Sequence, residues 1–303
     1  MASSAPQHSG RTGLGLAFAL GAFVAWGLAP AYFKQLSAMD VWELLFQRIL
    51  WSIPFVFLLA WRVHGLKGIA PAMGGWGRWK VYAASTALVT VNWGVYIWAV
   101  GAGRVMEISL GYYINPLVNV SLAILFLGER LNRRQWTSVG LAACGVTVLS
   151  VGLGALPLAS LGLAFAWGFY ALVRTRARID PIAGLLVETL AVAPVALAFL
   201  AWRHAEGLGA FGQHGIAFDL LVVGSGVVTA LPQMLFMYAA RHMAFSMLGL
   251  VGYLSPTLQL LVAVWYGEPF TAWHAGAFAL IWAGLAVYSW DALRPRRTAE
   301  AAG

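Results

Sequence analysis

Long apolar runs separated by short polar breaks recur along the whole chain. Ten of them approach the ~20 residues that a helix needs to cross a hydrocarbon core. They cover residues 13–33, 42–62, 80–100, 107–127, 136–152, 157–173, 182–202, 218–240, 244–266 and 272–291. The pattern predicts an all-α integral membrane protein of ten transmembrane helices. No charge separates the fifth run from the sixth, and Gly152, Gly154 and Pro157 mark the turn there. A single helix from Trp136 to Val173 would be too long for one crossing. The first run, with Arg11 ahead of it and Ala29-Pro30-Ala31 within it, shares features with a cleavable signal. Its length, and a counterpart later in the chain, favour a retained span.

That counterpart belongs to an internal repeat. At an offset of about 140 residues, the two halves of the chain come into register. Ala25-Trp26-Gly27 falls on Ala166-Trp167-Gly168, and Pro54 on Pro194. Tyr96 and Trp98 fall on Phe236 and Tyr238. Tyr113, Pro116 and Gly128-Glu129 fall on Tyr253, Pro256 and Gly267-Glu268, with one residue lost on the way. Residues 13–152 form a first five-helix repeat, and residues 153–291 a second. Tails 1–12 and 292–303 flank them. Five is odd, so the second repeat enters the membrane from the opposite side. This is the inverted repeat of many secondary transporters. Duplication without transport is the alternative.

Composition agrees with a membrane setting. The chain is 61% hydrophobic and 10% charged, against ~25% charged in an ordinary soluble domain. A net charge of +8 in a soluble chain would suggest nucleic acid. Here Lys and Arg sit in the breaks between spans, so their bias reads as membrane orientation instead. With the N-terminus inside, every basic residue lies in an inner segment except Lys34, Arg104 and Arg203 in outer loops and Arg48 within the second span. This places both termini in the cytoplasm. Cys144 is the lone cysteine and reads as a packing residue.

The segment LGYYINPLVNVSLAILFLGERLNRRQW, from Leu110 to Trp136, resembles the fourth-helix signature of the RarD proteins. These belong to the EamA family of the drug/metabolite transporter superfamily. WGLAPAYFK (Trp26 to Lys34), NWGVYIWAV (Asn92 to Val100) and GLAFAWGFYALVR (Gly162 to Arg174) are similar to the same group. The likeness runs from about residue 13 to 291, with the Asn-Pro and Gly-Glu-Arg combination its most specific part. It implies ten helices, inverted repeats, and export of small metabolites or drugs across the bacterial inner membrane.

Ionisable side chains within spans are costly, ~2.5–3.5 kcal/mol at mid-helix on insertion scales, and need a reason. Arg48 in span two and Glu188 in span seven stand out, at equivalent positions of the repeat. Inversion puts them at different depths, roughly 12–18 Å apart at ~1.5 Å per residue, so they are not expected to pair. Arg48 is expected in the outer half of a solute pathway with Glu107 as its partner, and Glu188 in the inner half as a proton carrier. The alternative is that both charges brace helix packing.

Ser109, Tyr112, Asn115 and Asn119 share one face of span four. Asn92 and Tyr96 share a face of span three, and Thr229 and Gln233 one of span eight. Trp26 with Pro30, and Trp167 with Tyr170, mark comparable faces of spans one and six, and Tyr253 lies in span nine. Such faces suit a central cavity for an amphipathic organic solute. Interhelical hydrogen bonds are the plainer reading of each amide. Pro116 and Pro256, behind Gly111 and Gly252, are candidate hinges or static kinks. Glu129 and Glu268 read as helix-end anchors.

The chain has no Walker A loop, no His-Glu-x-x-His and no Cys/His cluster of metal-ligand spacing. The six histidines lie mostly in loops or at helix ends. No cofactor, metal or nucleic acid is expected. A membrane enzyme would need paired acids or a metal, and a receptor or scaffold would need large loops. The expectation is a secondary transporter whose partners are the bilayer, a small solute and a coupling proton, working as a monomer or weak dimer.

Overall fold

The computed structural model describes residues 6–127, 132–242 and 251–293. Among them are ten α-helices, one short 3-10 turn and no strand. In chain order they are α1 (Pro6–Lys34), α2 (Val41–Met73), α3 (Trp79–Gly101), α4 (Val105–Leu127), α5 (Arg133–Leu153), α6 (Leu158–Ala177), α7 (Pro181–Ala205), α8 (Ile216–His242), α9 (Leu254–Trp265) and α10 (Ala272–Leu293). Seven of them, α1, α2, α3, α5, α7, α8 and α10, are long and apolar enough to cross a membrane. Helices α6 and α9 contribute shorter apolar stretches, Leu158–Arg174 and Leu254–Trp265. Glu129, Arg130 and the first part of the expected ninth span lie outside the described residues.

Local chemistry explains the helix boundaries. Asp40 and Asp180 cap α2 and α7, each accepting hydrogen bonds from two main-chain N–H groups of the first turn. Asn132 and Gln135 form a reciprocal capping box on α5. Gly154 ends α5 at φ 66°, a left-handed turn that glycine adopts without a Cβ penalty. Gly65, at φ 68°, breaks α2 after the expected span. The helix then continues to Met73, beyond the end of the apolar run.

Advancing each helix by five positions maps the principal packing contacts onto one another. The pair α1 and α8 becomes α6 and α3, and the pair α1 and α9 becomes α6 and α4. The pair α2 and α8 becomes α7 and α3. The pairs α2 with α7, α4 with α9 and α5 with α10 map onto themselves.

Glycines carry this correspondence to atomic detail. A Cβ on Gly27 would meet Leu258 Cβ at 2.7 Å, and one on Gly168 would meet Val118 Cγ1 at 3.0 Å. These glycines lie in the two Ala-Trp-Gly repeats, and the residues they meet are likewise equivalent. A Cβ on Gly145 would meet the Ala277 carbonyl at 2.9 Å, and one on Gly284 the Ser138 carbonyl at 2.9 Å. Small residues let backbones approach where lipid supplies no hydrophobic drive between helices.

Helices α2 and α7 run antiparallel, tied near both ends. Glu43 near the start of α2 pairs with Arg203 at the end of α7 at 3.3 Å. His64 near the far end of the α2 span meets Asp180 at the start of α7 at 3.1 Å. Arg48 and Glu188 therefore lie about ten residues apart along this pair, roughly 15 Å at ~1.5 Å per residue.

Candidate functional site

Arg48 is buried among three aromatic rings. Its guanidinium carbon lies 4.8 Å from the centre of Phe33 on α1, and 5.4 Å and 5.9 Å from Trp93 and Tyr96 on α3. Its Nε donates to Thr229 Oγ1 on α8 at 3.2 Å, and that hydroxyl donates onward to the Ser225 carbonyl at 2.9 Å. Tyr112 on α4 is near enough to interact electrostatically with both Arg48 and Tyr96. Asn115 lies one turn further along that face of α4 and is buried. Arg48 Nη1, Tyr96 OH and Asn115 Oδ1 are buried with no hydrogen-bond partner among the described residues. Each cation–π contact contributes about 0.5–2 kcal/mol. Together they offset part of the cost of a buried charge and leave its hydrogen-bonding capacity unfilled.

Glu107 does not pair with Arg48. It sits in the first turn of α4 and pairs with Arg104 at 2.7 Å, three residues before it on the adjoining loop. Helical spacing makes that local pair the easier one.

A second polar cluster surrounds Glu188. Tyr170 donates to Glu188 Oε2 at 3.0 Å, and Arg174 Nη1 reaches the same oxygen at 3.3 Å. Arg174 Nη1 also donates to the Tyr170 oxygen. Arg174 Nη2 binds the carbonyls of Asp180 and Pro181, each at 2.9 Å. Trp167 packs on Tyr170 with ring centres 5.4 Å apart, and Ser85 on α3 lies beside the carboxylate. Arg174 lies in the last turn of α6 and reads in the sequence as a loop charge. Its side chain, at 12% exposed, instead folds back into the bundle.

The remaining expected residues are placed as follows. Asn92 donates to the Leu163 carbonyl on α6 at 3.0 Å, a helix-to-helix bond. Asn119 is exposed, with its carbonyl oxygen toward Gly168 of α6. Trp26 packs with Phe23 and Phe236. Gln233 is half-buried, one turn beyond Thr229 on α8. Tyr253 stacks on Tyr113 with centres 6.3 Å apart, on the side facing α10. Pro116 lies within α4. Pro256 lies in the first turn of α9, just after a turn at Tyr253, where a missing N–H breaks no helical bond.

Glu268, in the loop after α9, accepts from Val105 N and Met106 N at 2.6 and 2.8 Å. It thereby caps α4 from outside that helix. Burial raises its carboxyl above the usual range, against the pull of those two N–H groups.

An apolar helical bundle that buries polar clusters between its helices, seven of them able to cross a membrane, is the construction of a multi-pass membrane protein. The chain belongs to the EamA-like transporter family, whose profile matches residues 13–151 and again 155–290. Protein RarD of Salmonella typhi is 40% identical, covering 95% of this chain and 98% of that one. An uncharacterized transporter of Pseudomonas aeruginosa is 43% identical over 93% of this chain and 95% of its own length. A chloramphenicol-sensitive protein RarD of the same organism is 32% identical over 93% and 96%. One crystal structure shares the fold, with a TM-score of 0.60 and 22% identity, covering 95% of this chain and 100% of that one. The chain is thus a bacterial multi-pass membrane transporter of the drug/metabolite type.

Proposed function

We propose that this chain is a secondary transporter that exports small organic metabolites or drugs across the inner membrane by alternating access. Two inverted five-helix repeats, residues 13–152 and 153–291, enclose the pathway, and both termini are cytoplasmic. The observation that carries this reading is the exchange symmetry of the packing, with Gly27 and Gly168, or Gly145 and Gly284, in equivalent close approaches. Two similar halves can trade inward-open and outward-open packing around a fixed centre. The family profile matching twice, over 13–151 and 155–290, supports the same division.

Arg48 lies toward the outer side in this reading, and Glu188 toward the inner side, where it serves as proton carrier. Pro116 within α4, and Pro256 with the helix interruption at Tyr253 just before it, are the pseudo-equivalent hinges. The relatives are named as transporters, which favours transport over a membrane enzyme or a receptor. The test is uptake by proteoliposomes over a panel that includes amino acids and amphenicol drugs, with and without an imposed pH gradient. Saturable uptake that accelerates with the gradient, and loses that response in Glu188→Gln, is the expected result. Saturable uptake indifferent to the gradient would remove Glu188 as the coupling group. Lack of uptake of every solute by well-folded protein would contradict the reading.

A further inference from the structure

Buried carboxylates and buried cations do not balance around Arg48. Glu43 is held by Arg203 at 3.3 Å, and Glu188 by Arg174 at 3.3 Å. Glu107 is held by Arg104 at 2.7 Å. Glu268 is occupied by the main-chain N–H groups of Val105 and Met106. Each buried acid among the described residues thus has a partner other than Arg48. Arg48 itself is 6% exposed and makes no ion pair among those residues. Neutral groups surround it: three rings and the Thr229 hydroxyl. Its Nη1 points at no acceptor.

A guanidinium held in low dielectric needs an anion, and one with an unpaired Nη1 can donate to a carboxylate. Since no described residue supplies one at that position, we infer that the solute does: the Arg48 cage binds an organic anion, with its carboxylate on the guanidinium. This rests on the transport reading above and narrows its substrate class. The Tyr96 hydroxyl, whose ring flanks Arg48, and the buried Asn115 amide, one turn along α4 from Tyr112, also have unfilled capacity. They provide hydrogen bonds to polar groups of the same solute. The rings of Phe33 and Trp93 provide apolar walls for its carbon skeleton. The fixed positive charge opposes cationic solutes of the same shape.

Matched pairs of probes test this: 3-phenylpropionate against 3-phenylpropionamide, and hexanoate against hexanamide. Melting of the detergent-purified full-length protein is followed as each is titrated, with sodium chloride at equal ionic strength as the inorganic arm. The acids are expected to raise the melting temperature with saturation, because a ligand that binds only the folded form stabilises it. The amides and chloride are expected to do so at least about tenfold less effectively, the loss of one charge-assisted contact. Arg48→Gln abolishes the preference for acid over amide. Arg48→Lys, which keeps the charge and guards against a misfolded Gln variant, retains a weakened preference.

Equal stabilisation by acid and amide overturns the inference. So does an undiminished preference in Arg48→Gln, a response to chloride as large as to the acids, or no response to any acid. Stabilisation by the acids without uptake in proteoliposomes would instead count against transport and leave the anion site standing. Uptake restricted to neutral solutes would do the reverse.

Discussion

At the scale of single residues, the two buried charges of the repeat are held very differently. Glu188 sits in a network with Tyr170 and Arg174, and Arg174 also binds two main-chain carbonyls. Removing the acid therefore leaves the cation with other acceptors, whereas removing the cation leaves the acid with neutral donors alone, Tyr170 and the neighbouring Ser85. Breaking a buried pair by stranding one charge costs about 3–5 kcal/mol. Arg174→Ala is expected to approach that figure and Glu188→Gln to cost clearly less, read from melting of the two variants side by side. Equal losses would mean that the carbonyl contacts contribute nothing. Arg48 has no such network, which is why its substitution should register in ligand preference before it registers in stability.

At the scale of elements, helix pairs are joined where glycine admits a neighbouring backbone. Helices α5 and α10 meet through Gly145 against the Ala277 carbonyl and Gly284 against the Ser138 carbonyl. A methyl group at either position meets main-chain oxygen, which cannot rotate away. Gly145→Ala and Gly284→Ala are each expected to cost about 1–3 kcal/mol, and by similar amounts if the sites are equivalent. Thermal unfolding in detergent would measure this, and a large loss at one site with none at the other would break the equivalence. Helix α4 depends on a carboxylate from another element. Glu268→Ala removes the acceptor of two orphan N–H groups and is expected to destabilise by about 1–2 kcal/mol. Rescue by Glu268→Gln, which keeps an acceptor, would separate capping from charge.

At the scale of the whole molecule, the sequence shows a great deal of the architecture and less of its wiring. Spans can be read because every lipid-facing run must be apolar, and the offset because Ala-Trp-Gly, proline and tyrosine recur at it. Arg48 and Glu188 are conspicuous because charge is rare in such runs. Their partners are not readable. Phe33, Trp93 and Thr229 come from three other helices, and only packing brings them to Arg48. Arg174 counts as a loop charge by position, yet its long stem carries the guanidinium inward to Glu188. Hydropathy likewise runs through Tyr253, where the helical path is interrupted, while helix α2 outlasts its apolar run and turns at positive φ at Gly65.

The central claim, that the two halves face opposite ways across the bilayer, can be tested with two cysteines. Ser37 precedes α2 and Arg178 precedes α7, at nearly equivalent places in the repeat, and both are exposed. In a Cys144→Ala background, Ser37→Cys and Arg178→Cys would be challenged in intact cells with a membrane-impermeant maleimide. Labelling of Ser37→Cys from outside, and of Arg178→Cys only after the membrane is opened, is the predicted result. Labelling of both from the same side would contradict the account.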